Sequence, residues 1–191
     1  MKTMFASLIL VCASYSHGQN PAAIDRPDGS AAQTVAGTTF VHFGKVDTGV
    51  YKGSKPRTDA DFKFLQSLHI KYIVDLELLP SLVHTEQKKA DRYGIRIVSM
   101  RINASPIAPS EKHVDPILAF VRDMRHQPIY FHCALGRDRT NLIAALYKMY
   151  FLRMSEEDAW QYMKESGYKD SWVRNGLRHY LEKHPNRPPT L

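Results

Sequence analysis

At 191 residues, with 43% hydrophobic and 24% charged residues, the chain has the size and composition of one globular domain that buries a single sizeable core. Ten Gly and eleven Pro are too few for a collagen-like or low-complexity chain, so fibres and wholesale disorder are excluded. Lys and Arg outnumber Asp and Glu by 26 to 19, a formal +7 that favours anionic partners without choosing among nucleic acid, acidic lipid and small phosphorylated molecules.

Met1 and Lys2 precede an apolar run from Met4 to Val11, and Ser16 and Gly18 suit the small-residue positions of a secretory cleavage site. Residues 1–18 therefore read as a signal peptide, and the expected location is exported, periplasmic or secreted. The apolar run falls short of the roughly 20 residues needed to span a bilayer, as does every later stretch. A lipoprotein anchor at Cys12 is the competing reading, disfavoured by the bulky Val11 before it. With the leader gone, one of the two cysteines remains, Cys133. An unpaired thiol in an exported chain is an intermolecular link, a reactive group or a buried small hydrophobe.

Residues 19–37 lack apolar periodicity and read as a flexible lead-in to a single domain over 38–184. Phe40, Val41 and Phe43, then Val50 and Tyr51, predict two short strands before the Gly53-Ser54-Lys55-Pro56 turn. Thr58 or Asp59 caps a helix carrying Phe62, Leu65 and Leu68, and Tyr72-Ile73-Val74 is a buried strand. Leu76 to Val83 is loop or helix, a polar helix around Thr85 to Tyr93 stops at Gly94, and Ile95, Ile97 and Val98 form a strand. Beyond a Pro-rich loop from Ile102 to Ser110, Val114, Ile117, Leu118 and Val121 mark a helix with Asp115-Pro116 as its start. Ile129-Tyr130-Phe131 is the next strand. Helices follow over Leu142 to Tyr150, Ser155 to about Ser166 behind a capping box, and about Trp172 to His184, with an unstructured tail over 185–191. This order predicts an α/β fold: a central, mostly parallel twisted sheet flanked by helices, with ligands beyond the carboxyl ends of the strands.

Residues 132–140 read His-Cys-Ala-Leu-Gly-Arg-Asp-Arg-Thr. A Cys, five residues and an Arg between a strand and a helix close a loop whose N–H groups converge on a tetrahedral oxyanion, with the helix N-terminus adding its positive end. Gly136 permits the tight turn, Ala134, Leu135 and Arg137 contribute backbone, and the Arg139 fork matches two phosphate oxygens. The same field favours a thiolate at Cys133.

These residues resemble the cysteine-dependent protein-tyrosine and dual-specificity phosphatase superfamily, whose signature is His-Cys, five residues, Arg, then Ser or Thr. Among its members the chain is most similar to the tyrosine-phosphatase-like phytases, and Val46 to Pro56 looks like the opening strand and turn of the compact ones. The resemblance implies a phosphocysteine at Cys133, phosphate held by the loop and Arg139, and a Thr140 hydroxyl donating to the departing thiolate. His132 is then structural, and no metal or other cofactor is needed. Asn141 departs from the usual Gly after the Thr, which bears on how the loop packs against the helix. A catalytically dead member, a sulfurtransferase and an arsenate reductase are the alternatives; the Cys and Arg that inactive members commonly lose both stand here, and the further cysteines of arsenate reductases are missing.

Relatives place a general acid on the loop one strand upstream, but Arg101 to Ser110 contains no Asp or Glu. Asp138, Asp115 and Glu111 remain, and members with Asp just before the signature Arg point to Asp138. The expected substrate is inositol hexakisphosphate or a related inositol polyphosphate, with Arg137 in the loop, Lys52, Lys55 and Arg57 at the early turn and Arg101 near further phosphates, although each alone is more often a solvated charge. A secreted protein-tyrosine or dual-specificity phosphatase is the alternative. A basic module for nucleic acid or membrane is disfavoured, because the basic residues are spread along the chain. The nine His show no metal-ligand spacing, and the oligomeric state is left open.

Overall fold

The computed structural model describes residues 34–77, 80–105, 107–172 and 174–185. The expected signal peptide, most of the lead-in and nearly all of the tail lie outside the described residues. The chain forms β1 (Gly44–Asp47), β2 (Val50–Ser54), α1 (Asp59–Ser67), β3 (Tyr72–Asp75), α2 (Pro80–Asp91), β4 (Arg96–Ser99), α3 (Glu111–Arg122), β5 (Ile129–Cys133), α4 (Arg139–Leu152), α5 (Glu156–Glu165) and α6 (Asn175–Lys183). The sheet order is β1-β2-β5-β3-β4; β1 and β2 pair antiparallel and every other pair is parallel. The predicted α/β architecture with a mostly parallel sheet is thus the observed one.

Each strand of a pleated sheet turns alternate side chains to opposite faces. On the central strand β5, Tyr130 joins Phe40, Phe43, Phe62, Leu65 and Ile73 in the core beneath α1. Ile129, Phe131 and Cys133 face the larger core with Val74, Leu118, Leu142 and Leu177. The helix α4 is buried along nearly its whole length, from Thr140 to Met149, because α3, α5 and α6 pack around it. Each buried Leu, Ile or Phe stabilises this arrangement by about 1.5–3 kcal/mol.

Several predicted boundaries are corrected. The first strand is Gly44–Asp47 and not Phe40 to Phe43; Phe40 and Phe43 are spent on an aromatic cluster with Phe64 and Tyr130. The capping residue of α3 is Ser110 and not Asp115, since the amides of His113 and Val114 already bond the Ser110 carbonyl. Pro116 therefore sits inside that helix. The polar helix begins at Pro80, α4 begins at Arg139, and α6 begins at Asn175. Thr58 closes a capping box with Asp61, and Ser155 accepts from the Asp158 amide as expected.

Candidate active site

β5 ends at Cys133 (3% exposed) and α4 opens at Arg139, so residues 134–138 form the turn between them. Gly136 lies at φ +67, and a Cβ there would meet the Gly53 backbone and lie 2.6 Å from the Ser54 nitrogen. Only glycine lets the loop settle on the end of β2. The Ala134 carbonyl accepts from the Lys55 amide at 3.5 Å, and the Arg137 carbonyl accepts from Asn141 Nδ2 at 2.8 Å. In a trans peptide the C=O and the following N–H point opposite ways, so the N–H of Leu135 points away from Lys55 and that of Asp138 away from Asn141. Arg139 Nε and the Thr140 hydroxyl are buried with no hydrogen-bond partner among the described residues. These donors, the α4 N-terminus and the sulfur of Cys133 form a setting for a tetrahedral oxyanion facing a nucleophile.

A chain of buried charges lies on the α1–α2 side. His132, fully buried, is bonded through Nε2 to Glu86 Oε1 at 2.9 Å. Burial opposes a charge on this imidazole, but Glu86 and Asp75 outweigh it and hold its pKa at about 9. Glu86 is held below the ordinary carboxyl value although burial works the other way, because His132 and Lys55 favour its charged form. Lys55 reaches Glu86 at 2.9 Å, Glu77 at 3.5 Å and Asp75 at 3.9 Å. Acceptor and ring atoms of Asp75, Glu77 and His132 lie within 4.8 Å of one another, a grouping able to hold a cation, and Lys55 supplies a cation to the same carboxylates.

Across the sheet, Lys52 Nζ donates to Asn141 Oδ1 at 2.8 Å, and Asn141 Nδ2 also donates to the Ser166 carbonyl at 2.8 Å. His42 lies near Lys52, Arg137 and Asp138; burial first, then the two cations, lower its pKa. Asp138 caps α4 without a side-chain cap bond, its carboxylate lying 3.4 Å from Arg137 Nε and 3.2 Å from Arg174 Nε.

The structure thus brings His132, Cys133, Ala134, Leu135, Gly136, Arg137, Asp138, Arg139 and Thr140 into one strand-loop-helix unit. Lys55 and Arg57 line a cavity of about 460 Å³ with Glu77, Glu86, Lys89 and Ala134. Lys55 is committed to carboxylates there, whereas Arg57 is exposed. Arg101 lies apart, in a second cavity of about 410 Å³ with Asn103, Pro109 and His113. Glu111, an alternative acid, is bonded to His184 at 3.1 Å. The sequence-derived set lacks Asp75, Glu77, Glu86 and Arg174, and it places Lys52 at the early turn as a phosphate-facing charge, whereas the structure buries Lys52 inside β2. Glu77 carries a readable signal, since it follows the end of β3, which the fold class places beside the loop.

Residues 38–153 match the sequence profile described as the tyrosine phosphatase family. Inositol diphosphatase DSP3 of Arabidopsis thaliana is 28% identical over 141 residues, 71% of this chain and 66% of that protein. Inositol diphosphatase DSP2 of rice (Oryza sativa subsp. japonica) is 28% identical over 107 residues, 54% of this chain and 51% of that protein. The chain thus spans about half to two thirds of the length of these curated relatives. Among solved structures, the catalytic core of the Saccharomyces cerevisiae PP-IP phosphatase Siw14 superposes with a TM-score of 0.62 at 22% identity, over 74% of this chain and 84% of that one. Pseudomonas aeruginosa TpbA, solved with pTyr, superposes with a TM-score of 0.64 at 19% identity, over 82% of this chain and 91% of that one. With well over half of its residues inside the matching profile and the His132-to-Thr140 loop built as described, the chain belongs to the tyrosine phosphatase family.

Proposed function

We propose that this protein is an exported phosphomonoesterase acting on inositol polyphosphates, inositol hexakisphosphate among them, through a phosphocysteine on Cys133. The observation that carries the reading is the loop between β5 and α4: a buried thiol ends the strand, and at the start of the helix Arg139 Nε and the Thr140 hydroxyl are buried with no hydrogen-bond partner among the described residues. Sulfur attacks phosphorus, the bond to the leaving alkoxide breaks, and Asp138 supplies the proton that the alkoxide takes. Water then attacks the phosphocysteine, Asp138 receives a proton from it, and Thr140 donates to the departing sulfur. Arg139 binds two phosphoryl oxygens through its fork.

The substrate class rests on two supports. Arg57, with Lys89 bonded to its carbonyl at 2.6 Å, places positive charge along the cavity beside Ala134, suited to a second phosphate on the same ring. Two relatives bear the name inositol diphosphatase. Export rests on the N-terminal sequence alone. A protein-tyrosine phosphatase is the second reading, favoured by the fold shared with TpbA and by Leu135, which is 44% exposed on the loop itself.

Turnover of inositol hexakisphosphate, a phosphotyrosyl peptide and an activated aryl phosphate by one preparation separates these readings. Inositol phosphate turnover well above peptide turnover supports the first, and the reverse order supports the second. For the acid, Asp138→Asn should cripple alkyl phosphate hydrolysis far more than aryl phosphate hydrolysis. Glu77, whose Oε1 is buried without a partner beside the same cavity, is the competing donor, and the same pattern in Glu77→Gln would transfer the role to it.

A further inference from the structure

Lys52 is 3% exposed in the middle of β2 and has no carboxylate within ion-pair distance among the described residues. Burying an ammonium without a counter-charge is strongly unfavourable, and a fold keeps such a group where something else balances it. Val50, Lys52 and Ser54 share the sheet face of Ile129, Phe131 and Cys133; Lys52 pairs with Phe131 and Ser54 with Cys133. The ammonium therefore lies behind the phosphate loop, one pleat below the sulfur. Its hydrogen-bond acceptor among the described residues is Asn141 Oδ1, and Asn141 is the residue that stands where the related signature has Gly. Through Nδ2 the same amide holds the carbonyls of Arg137 and Ser166.

We infer that Lys52 is a positioning residue for the nucleophile: its ammonium is the counter-charge of the Cys133 thiolate and of the bound phosphoryl group from the core side, with Asn141 transmitting its position to the loop. This rests on Cys133 being the nucleophile, not on the identity of the substrate. The groups near the pair are His42 ahead of β1, itself beside Arg137 and Asp138, Lys148 on α4, and Tyr162 on α5, whose ring lies 5.5 Å from Lys52 Nζ and 5.1 Å from Lys148 Nζ. Asp47 on β1 accepts from Tyr147 at 3.0 Å and acts on Lys148 instead. Burial, reinforced by Lys148, lowers the pKa of Lys52 to about 7, and Cys133 is the group that pulls it back up. An amine so balanced takes up a proton when an anion arrives in front of it.

The test follows the pH dependence of Cys133 alkylation by iodoacetamide, read by mass spectrometry on the Cys133 peptide. Lys52→Met should move the midpoint up by about one unit, slowing alkylation roughly tenfold at pH values below the midpoint, and Lys52→Arg should move it back. Because the methionine removes an unbalanced buried charge, its Tm should hold or rise while kcat/KM falls; a purely structural lysine gives the opposite pair. A folded Lys52→Met protein with an unchanged alkylation midpoint overturns the inference. Should that variant not fold, the unaltered protein decides: the Lys52 Cε NMR titration should shift to higher pH on saturation with inorganic phosphate, and an unmoved titration overturns the inference equally. Neither readout depends on which ester is hydrolysed, so failure here leaves the proposed function standing.

Discussion

Lys52, in the middle of β2, and Lys55, just past its end, are three residues apart, yet their surroundings are opposite. Lys55 meets Glu86, Glu77 and Asp75, and its pKa is raised even though burial works against it. Lys52 meets an amide and the Tyr162 ring, which it shares with Lys148, with no carboxylate within ion-pair distance among the described residues. Charge on the α1–α2 side is therefore closed upon itself and serves as scaffold for the loop. On the α4–α5 side it is left open toward Cys133, where an incoming anion completes it.

The largest expected effect is on the loop that both sides support. Gly136→Ala would force a positive φ on a residue with a Cβ and drive that atom into the Gly53 backbone, displacing the loop from β2. A displacement on that scale should lower kcat/KM by about 100-fold or more in steady-state assays. Glu86→Ala tests the closed side. It takes from His132 its hydrogen-bonded carboxylate and from Lys55 the nearest of three, and losing one partner of a buried pair costs about 3–5 kcal/mol, visible as a lowered midpoint in urea unfolding.

The two sides also differ in how pH acts on stability. The folded protein holds the His132 proton to about pH 9 whereas the unfolded chain releases it near 6.5, so that contribution is full below 6.5 and is lost as pH rises through 9. Lys52 works in reverse: folded near 7 against an ordinary 10.5, it costs stability at low pH and relieves that cost as pH climbs. Between pH 7 and 9 the two slopes oppose each other. In Lys52→Met the decline from His132 should stand alone, at up to about 1.4 kcal/mol per pH unit, measured by urea unfolding across that range. An unchanged slope would mean that Lys52 is not a buried ammonium. The smallest effect serves as a control: Ser155→Ala removes the α5 cap at a cost of about 1 kcal/mol and should leave the alkylation midpoint of Cys133 where it is.

The stretch from Ile129 to Tyr150 was legible in the sequence because a strand buried on both faces reads as a continuous apolar run and the loop residues keep a fixed local spacing. β1 was harder. As an edge strand it exposes all but Val46 to some degree, so the apolar signal fell on Phe40 and Phe43 ahead of it. The start of α3 was misplaced because Asp115-Pro116 carries the local pattern of a helix start, while Ser110, one turn earlier, forms the actual cap. What the sequence does not show for Lys52 and Lys55 is their enclosure among polar partners. A lysine in a sequence reads as a solvated charge, and what makes these two buried is contact with Asn141, 89 positions away, and with Glu86 on α2. Asp138 was visible from its place in the loop, but its partner Arg174 comes from the far end of the domain.

The central claim is that phosphoryl groups pass through Cys133. Rapid mixing with an activated aryl phosphate, acid quenching within one turnover and mass spectrometry of the Cys133 peptide test it most directly. One phosphoryl group is expected on that peptide, absent in Cys133→Ser, which should also lose about 10⁴-fold or more of its activity. Turnover that survives in Cys133→Ser, or a phosphoryl group trapped on another residue, would contradict it.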